Sequence, residues 1–333
     1  MHDFQYVAAA DLPAAIALLR EPHSELLAGG TDLLGEMKRR IRSPQRLVNI
    51  KNLDQLRKVS LAKGKDKALR MGALLTISEM ERHPLVAKEF PSLQQAASLV
   101  GTPQLRNMGT LGGNLCQHPR CWYFRNPRFP CWLKGGAKCF AVAGENRLHR
   151  ILGEGVCHSV HPSDLAPVLM ALQARVQIAG PKGEREIPLE KLYILPRINH
   201  RQTTILKRGE LITEIRVPMP EEKERGVFLK AMDRKAWSFA LAAVALQLTF
   251  DDDRIAEGRM VLGGVAPIPW RAEEAEKVLR GENLSEDLIL RAGEAAAFGV
   301  RPMRDNAYKV DLVQRLVRKA LTTLSTQNSE LRN

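Results

Sequence analysis

Gly109-Thr110-Leu111-Gly112-Gly113-Asn114 is the stretch on which the reading of this chain turns, because four cysteines, Cys121, Cys131, Cys139 and Cys157, begin seven residues beyond it. A residue without a Cβ lets another group approach the main chain closely, and successive N–H groups in such a loop form a concavity suited to an anion. A second loop of this kind, Gly29-Gly30-Thr31-Asp32, lies between Leu26-Leu27-Ala28, which reads as a short buried strand, and a helix expected from Leu33 to Arg40. It matches neither the dinucleotide fingerprint G-x-G-x-x-G nor the P-loop. Alone it reads better as an ordinary strand-to-helix turn, and the second loop brings the two readings level. Two such loops converging on one pyrophosphate suit a dinucleotide better than either does singly.

The cysteines are spaced C-x9-C-x7-C-x17-C, with Cys116 as a fifth. An odd total argues against a disulfide framework, and structural zinc usually draws on tight C-x2-4-C pairs that this quartet lacks. A [4Fe-4S] cluster also takes four thiolates and tolerates irregular spacing; zinc and unliganded buried thiols stay open on spacing alone. Residues 116–157 show little periodicity and many Gly, Pro and basic residues, so a segment this long needs a staple. Arg120, Arg125, Arg128, Lys134, Lys138, Arg147 and Arg150 would balance a negative cluster, and Trp122, Tyr123, Phe124 and Trp132 would shield it. An extended chain from Asn114 to Cys121 spans at most about 25 Å, so metal and anion would be neighbours.

The length of 333 residues predicts two or three domains, and 44% hydrophobic residues is ample for their cores. The N-terminus has no basic region followed by an apolar one, and no apolar run approaches a spanning helix. The expectation is therefore a cytoplasmic chain, or a periplasmic one exported with a partner. The formal net charge of +13 is scattered, only 5% of residues are aromatic, and no nucleic-acid-binding motif is present. Docking to a partner and phosphate binding account for the charge better.

Short strands and helices alternate at the start. Asp11-Leu12-Pro13 opens a helix, Leu47-Val48-Asn49-Ile50 is a strand, Thr76 to Arg82 begins with a capping pattern, and Pro91 to Leu99 is helical. Regular structure resumes with a helix from Ser163-Asp164 to Leu172 and a hairpin across Gly180-Pro181-Lys182-Gly183. Residues 218–226 read as a linker. A second hairpin follows, Ala240 to Phe250 with Ile255 to Gly263, then helices at Ala272 to Leu279, Glu286 to Ala297 and Lys309 to Thr323.

Taken in order, Ala28 to Leu34, Gln104-Leu105-Arg106-Asn107, Gly109 to Asn114, Arg120-Cys121, His161-Pro162-Ser163-Asp164, Gly209-Glu210-Leu211-Ile212, Phe228-Leu229-Lys230 and Gly263 to Arg271 resemble the FAD-binding medium subunit of the molybdenum hydroxylases. The likeness covers nearly the whole chain. It is strongest to the [4Fe-4S]-containing subtype, typified by the FAD subunit of periplasmic aldehyde oxidoreductase and the β subunit of 4-hydroxybenzoyl-CoA reductase. The resemblance implies an α+β fold: a vanillyl-alcohol-oxidase-type (PCMH-type) FAD-binding domain of two subdomains, 1–60 and 61–218, with the cluster insertion at 116–157. A C-terminal α+β domain at 222–326, like that of the CO dehydrogenase flavoprotein, and a tail at 327–333 would follow.

It further implies that Leu26, Leu27, Ala28, Gly29, Gly30, Thr31, Asp32 and Leu33, with Gly109, Thr110, Gly113 and Asn114, hold the FAD pyrophosphate. Asp164 falls where the family binds the ribose or adenosine portion, and Val100, Ile212 and Lys230 fall near the rings. Without the resemblance, Asp164 reads as a helix cap and Lys230 as a strand lysine. Cys121, Cys131, Cys139 and Cys157 would ligate the [4Fe-4S] cluster, with Cys116 a small buried residue. The implied partners are a large molybdenum-cofactor subunit and a small subunit with two [2Fe-2S] centres, from which electrons would pass through FAD to an external acceptor. A 4-hydroxybenzoyl-CoA reductase-like subunit running electrons the other way and a stand-alone flavin oxidase are the alternatives.

Overall fold

A computed structural model describes residues 1–62, 64, 67–197 and 201–330, the last four by backbone alone. The chain opens with β1 (Gln5–Ala8), α1 (Leu12–Arg20), β2 (Ser24–Leu27), α2 (Leu33–Lys38) and β3 (Arg46–Asn49), which form a parallel three-stranded sheet in the order β1-β3-β2. Asp11 caps α1 by accepting from the Ala14 N–H at 2.8 Å, with Pro13 in the first turn. The helix after the first glycine loop stops two residues short of Arg40, which turns into the left-handed region with φ +56°.

The next layer is antiparallel. Strands β4 (Val59–Ala62) and β5 (Ala68–Gly72) precede the helices α3 (Ile77–Arg82), α4 (Pro84–Glu89), α5 (Pro91–Ser98), α6 (Pro103–Met108) and α7 (Leu111–Leu115). The cysteine-rich segment contributes only α8 (Trp122–Arg125) and one 3-10 turn, Trp132–Lys134. After it come α9 (Leu165–Ala171), the hairpin β6 (Arg175–Gly180) and β7 (Gly183–Pro188), and β8 (Leu211–Pro218), completing a five-stranded sheet in the order β4-β5-β8-β6-β7. The capping pattern at Thr76 is realised in full: the Glu79 N–H donates to Thr76 Oγ1, and the Thr76 N–H donates to Glu79 at 2.8 Å.

Strands β9 (Glu224–Ala231), β10 (Ala242–Asp251), β11 (Arg254–Gly263) and β12 (Trp270–Arg271) make the third sheet, antiparallel throughout, followed by α10 (Glu273–Leu279), α11 (Glu286–Ala295) and α12 (Tyr308–Glu330). Its two faces serve two cores. Ala243 and Ala245 pack with Phe228, Val261 and the helical layer of the second unit, while Ala242, Val244, Leu246 and Leu248 pack with α10, α11 and α12. The period-two alternation of β10 is thus apolar on both sides, as expected of a strand buried on both faces. The expected linker shortens to the five residues between β8 and β9, because β9 joins the hairpin as a third strand. Of the expected tail, 327–330 continue α12 and 331–333 lie outside the described residues.

Candidate functional site

The two glycine loops abut. Gly29 packs so closely on the second loop that a Cβ there would stand 1.9 Å from the Met108 carbonyl oxygen. The second loop is pinned to the turn after β5: the Leu111 N–H donates to Leu75 O at 2.8 Å, and the Gly112 N–H donates to Ala73 O at 2.9 Å. Thr110 caps the short helix α7 by accepting from the Gly113 N–H. Between the loops lies a cavity of about 620 Å³, within the range of small-molecule and cofactor sites.

Leu26 to Leu33, Val100, Gly109, Thr110, Gly113, Asn114, Asp164 and Ile212 all line this one cavity. Lys230 is the exception. It is fully buried behind the wall, donating to Asp164 at 2.7 Å and to Leu99 O at 3.0 Å. An ammonium taken from water needs an anionic partner, and the nearest is the carboxylate that does line the cavity. Burial pushes the Asp164 carboxyl above its ordinary value, while Lys230 draws it back down. Asp164 makes no side-chain cap; Ser163 does so for α9, accepting from the Ala166 N–H at 3.0 Å.

Asp32 is committed to the protein. Burial disfavours its carboxylate, but Arg120 at 3.0 Å and Arg125 at 2.7 Å outweigh burial and hold its pKa below the usual carboxylate range. Arg125 also reaches Glu36, fully buried in α2, at 3.1 Å, and Glu36 accepts from or faces His118 at 3.1 Å. The first glycine loop is therefore tied by charge to the segment that carries the cysteines.

Cys121, Cys131, Cys139 and Cys157 line a second, much smaller cavity of about 10 Å³, together with Tyr123, Phe124, Trp132, Phe140 and Ser159. Cys116 is not among them; it lines the large cavity, where burial pushes its thiol up to about 12. No disulfide joins any of the five cysteines. Among the described residues no three or more His, Cys, Asp or Glu side chains are grouped to hold a metal ion. The donor set is nonetheless four soft thiols gathered in one apolar recess, the chemistry an iron–sulfur cluster uses. The recess encloses space for about one water. Two of the basic residues that lie beside the cysteines also hold backbone: Arg150 donates to Cys157 O at 3.2 Å and Gly155 O at 3.0 Å, and Lys134 donates to Tyr123 O at 3.1 Å. The two cavities are adjacent, since Arg120 lines one and Cys121 the other, with their Cα atoms about 3.8 Å apart.

Residues 2–220 match the family described as the FAD binding domain in molybdopterin dehydrogenase, and residues 227–324 match the CO dehydrogenase flavoprotein C-terminal domain. The chain belongs to the FAD-binding medium subunits of the molybdenum hydroxylases. The aldehyde oxidoreductase FAD-binding subunit PaoB of Escherichia coli (strain K12) is 33% identical over 318 residues, covering 94% of this chain and 95% of that protein. The glyceraldehyde dehydrogenase medium chain of Sulfolobus acidocaldarius is 26% identical over 323 residues, covering 96% and 97%. Carbon monoxide dehydrogenase from Hydrogenophaga pseudoflava, solved in a form lacking the Mo-pyranopterin moiety of its molybdenum cofactor, superposes with a TM-score of 0.77 at 25% identity over 96% of each chain. As a member of this family the chain is an FAD-binding oxidoreductase subunit, and its α+β fold is the one expected. No helix among the described residues is long and apolar enough to cross a membrane.

Beside lining residues such as Thr203, Thr204 and Leu206, two parts of the site that bear on its chemistry escaped the sequence reading. Trp237, Ser238 and Phe239, between β9 and β10, reach across to the cavity of this FAD subunit. Trp237 is 65% exposed with φ +53°, and its N–H donates to Gly101 O at 3.1 Å. Phe239 lies under the Arg120 guanidinium at 5.0 Å. The only sequence signal was a pair of aromatics in a basic inter-strand loop. His149 is the other omission: its Nε2 stands 3.2 Å from Cys121 Sγ, and burial drops its pKa to about 4.

Proposed function

We propose that FAD occupies the 620 Å³ cavity with its pyrophosphate between the two glycine loops, and that Cys121, Cys131, Cys139 and Cys157 hold a [4Fe-4S] cluster beside it. The chain is then the electron-transfer subunit of a heteromeric hydroxylase. A large molybdenum-cofactor subunit and a small subunit with two [2Fe-2S] centres deliver electrons, and an external acceptor removes them. The observation that carries this reading is the adjacency of Arg120 and Cys121, one on each cavity. The likeness to an aldehyde oxidoreductase subunit favours the oxidative direction over the reductase alternative.

Bound FAD supplies one- and two-electron exchange at its ring system. The protein's own part is to position it. Glycine backbone admits the phosphates, Asp164 offers a carboxylate held by Lys230, and the Trp237–Phe239 loop overhangs the cavity. No general base or nucleophile is required.

Metal, sulfide and flavin analysis of the purified complex tests the proposal, with one FAD and eight irons expected, four of them in this subunit and four in the small subunit's two [2Fe-2S] centres. Cys139→Ser should lose iron and keep FAD, while Cys116→Ser should keep both. A wild-type subunit with FAD but without iron overturns the cluster and leaves the flavin site standing.

A further inference from the structure

His149 is buried among Cys121, Trp122 and Tyr123 and is 2% exposed. Its backbone is held from two sides: the His149 N–H donates to Asn146 O at 2.9 Å, and the fully buried Asn306 donates from Nδ2 to His149 O at 3.1 Å. The indole of Trp122 meets the imidazole edge-on at 5.3 Å. Nε2 faces Cys121 Sγ at 3.2 Å, while Nδ1 is buried without a hydrogen-bond partner.

A neutral imidazole has one N–H to place. On Nδ1 it would be a buried donor with no acceptor, and the Nε2 lone pair would face the lone pairs of a metal-bound sulfur, which carries no proton. On Nε2 it donates to that sulfur and leaves only an acceptor unsatisfied, the less costly arrangement. We propose that His149 is a positioning residue for the cysteine-bound cluster, donating Nε2–H to Cys121 Sγ and thereby raising the cluster's reduction potential. The inference rests on the cluster reading of the four thiols. A donor to a ligating sulfur stabilises the more negative, one-electron-reduced form, and hydrogen bonds to the sulfurs are a main determinant of iron–sulfur potentials.

The test is a dithionite redox titration of the purified complex followed by electron paramagnetic resonance, with the flavin potential read in parallel as an internal control. His149→Leu should shift the cluster to a more negative potential with iron content and flavin potential unchanged. His149→Gln, whose amide N–H reaches the same place, should recover most of the shift. Pulsed resonance on wild-type protein containing ¹⁵N-histidine should show a weak nitrogen coupling, which keeps the question answerable if His149→Leu does not fold. An unchanged potential, an absent coupling, or the strong coupling and iron loss expected of a direct ligand overturns the inference. Four rather than eight irons per wild-type complex, the four that the small subunit's two [2Fe-2S] centres account for, overturns the cluster reading itself and is seen before any variant is made.

Discussion

Gly29→Ala tests the geometry of the proposed FAD site with a single carbon. The added Cβ would lie 1.9 Å from Met108 O, 2.8 Å from Met108 C and 3.2 Å from the Gly109 Cα, all backbone atoms. Ordinary contact begins at about 3.4 Å, so the two glycine loops would have to part by roughly 1.5 Å. Overpacking of this kind costs about 1–3 kcal/mol, and the upper end is expected because no side chain can swing aside. A displacement three times the roughly 0.5 Å that a preorganised site tolerates should also weaken FAD binding by tenfold or more. Gly35→Ala is the control. Gly35 lies within α2 with nothing inside 4 Å, so alanine there should add about 0.5–1 kcal/mol of stability and leave FAD affinity alone. Urea denaturation of the flavin-free protein gives the stabilities, and flavin fluorescence gives the affinities. If Gly29→Ala matches Gly35→Ala on both measures, the abutting-loop geometry is refuted.

Lys230→Met leaves Asp164 buried without its cation and should destabilise the fold by about 3–5 kcal/mol, with Lys230→Met/Asp164→Leu recovering much of that loss; equal urea midpoints for single and double variants would count against the pair. Arg125→Leu takes the nearest guanidinium from the fully buried Glu36, which keeps His118 at 3.1 Å and Arg42 at 3.9 Å, and should cost about 3 kcal/mol, which Arg125→Lys should not restore because one ammonium cannot serve Asp32, Glu36 and two carbonyls; a loss under about 1 kcal/mol in urea would refute the network. Burial, helped by Arg147, lowers the pKa of Lys309 to about 7. Between pH 7 and the unfolded value near 10.5, unfolding takes up a proton, so stability should rise with pH by about 1.4 kcal/mol per unit relative to Lys309→Met. Below pH 7 the two curves should run parallel; denaturation at pH 6, 8 and 9.5 checks this, and a constant difference would exclude it.

Local chemistry was legible in the sequence and paired chemistry was not. The glycine loops, the Thr76 capping box and the Gly180–Gly183 hairpin each depend on residues a few positions apart, and the structure realises all three. Lys230 and Asp164 are 66 positions apart, so nothing along the chain announced that one would neutralise the other behind the cavity wall. Glu36 sits in a short charged helix that reads as solvent-facing, yet it is fully buried because Arg125 and His118 reach it from 82 or more residues away. The basic residues around the cysteines have the expected identity and a further task. In a segment with so little regular structure, backbone carbonyls lack ladder partners, and Arg150 and Lys134 satisfy them first. The Trp237 loop was missed because its importance lies in what it covers, which is formed by α2, α7 and the turns around them.

The third sheet has a consequence for how this subunit can be cut and recombined. Because alternate residues of β10 serve opposite cores, a break near residue 222 would not release a finished flavin domain; it would bare the apolar surfaces of α5 and α9 that Phe228, Ala243 and Ala245 cover. The boundary between the two matched families is therefore a boundary in ancestry rather than in stability. A chimera that exchanges the flavin domain should carry β9 to β11 along with it and place its junction on the far face, among α10, α11 and α12.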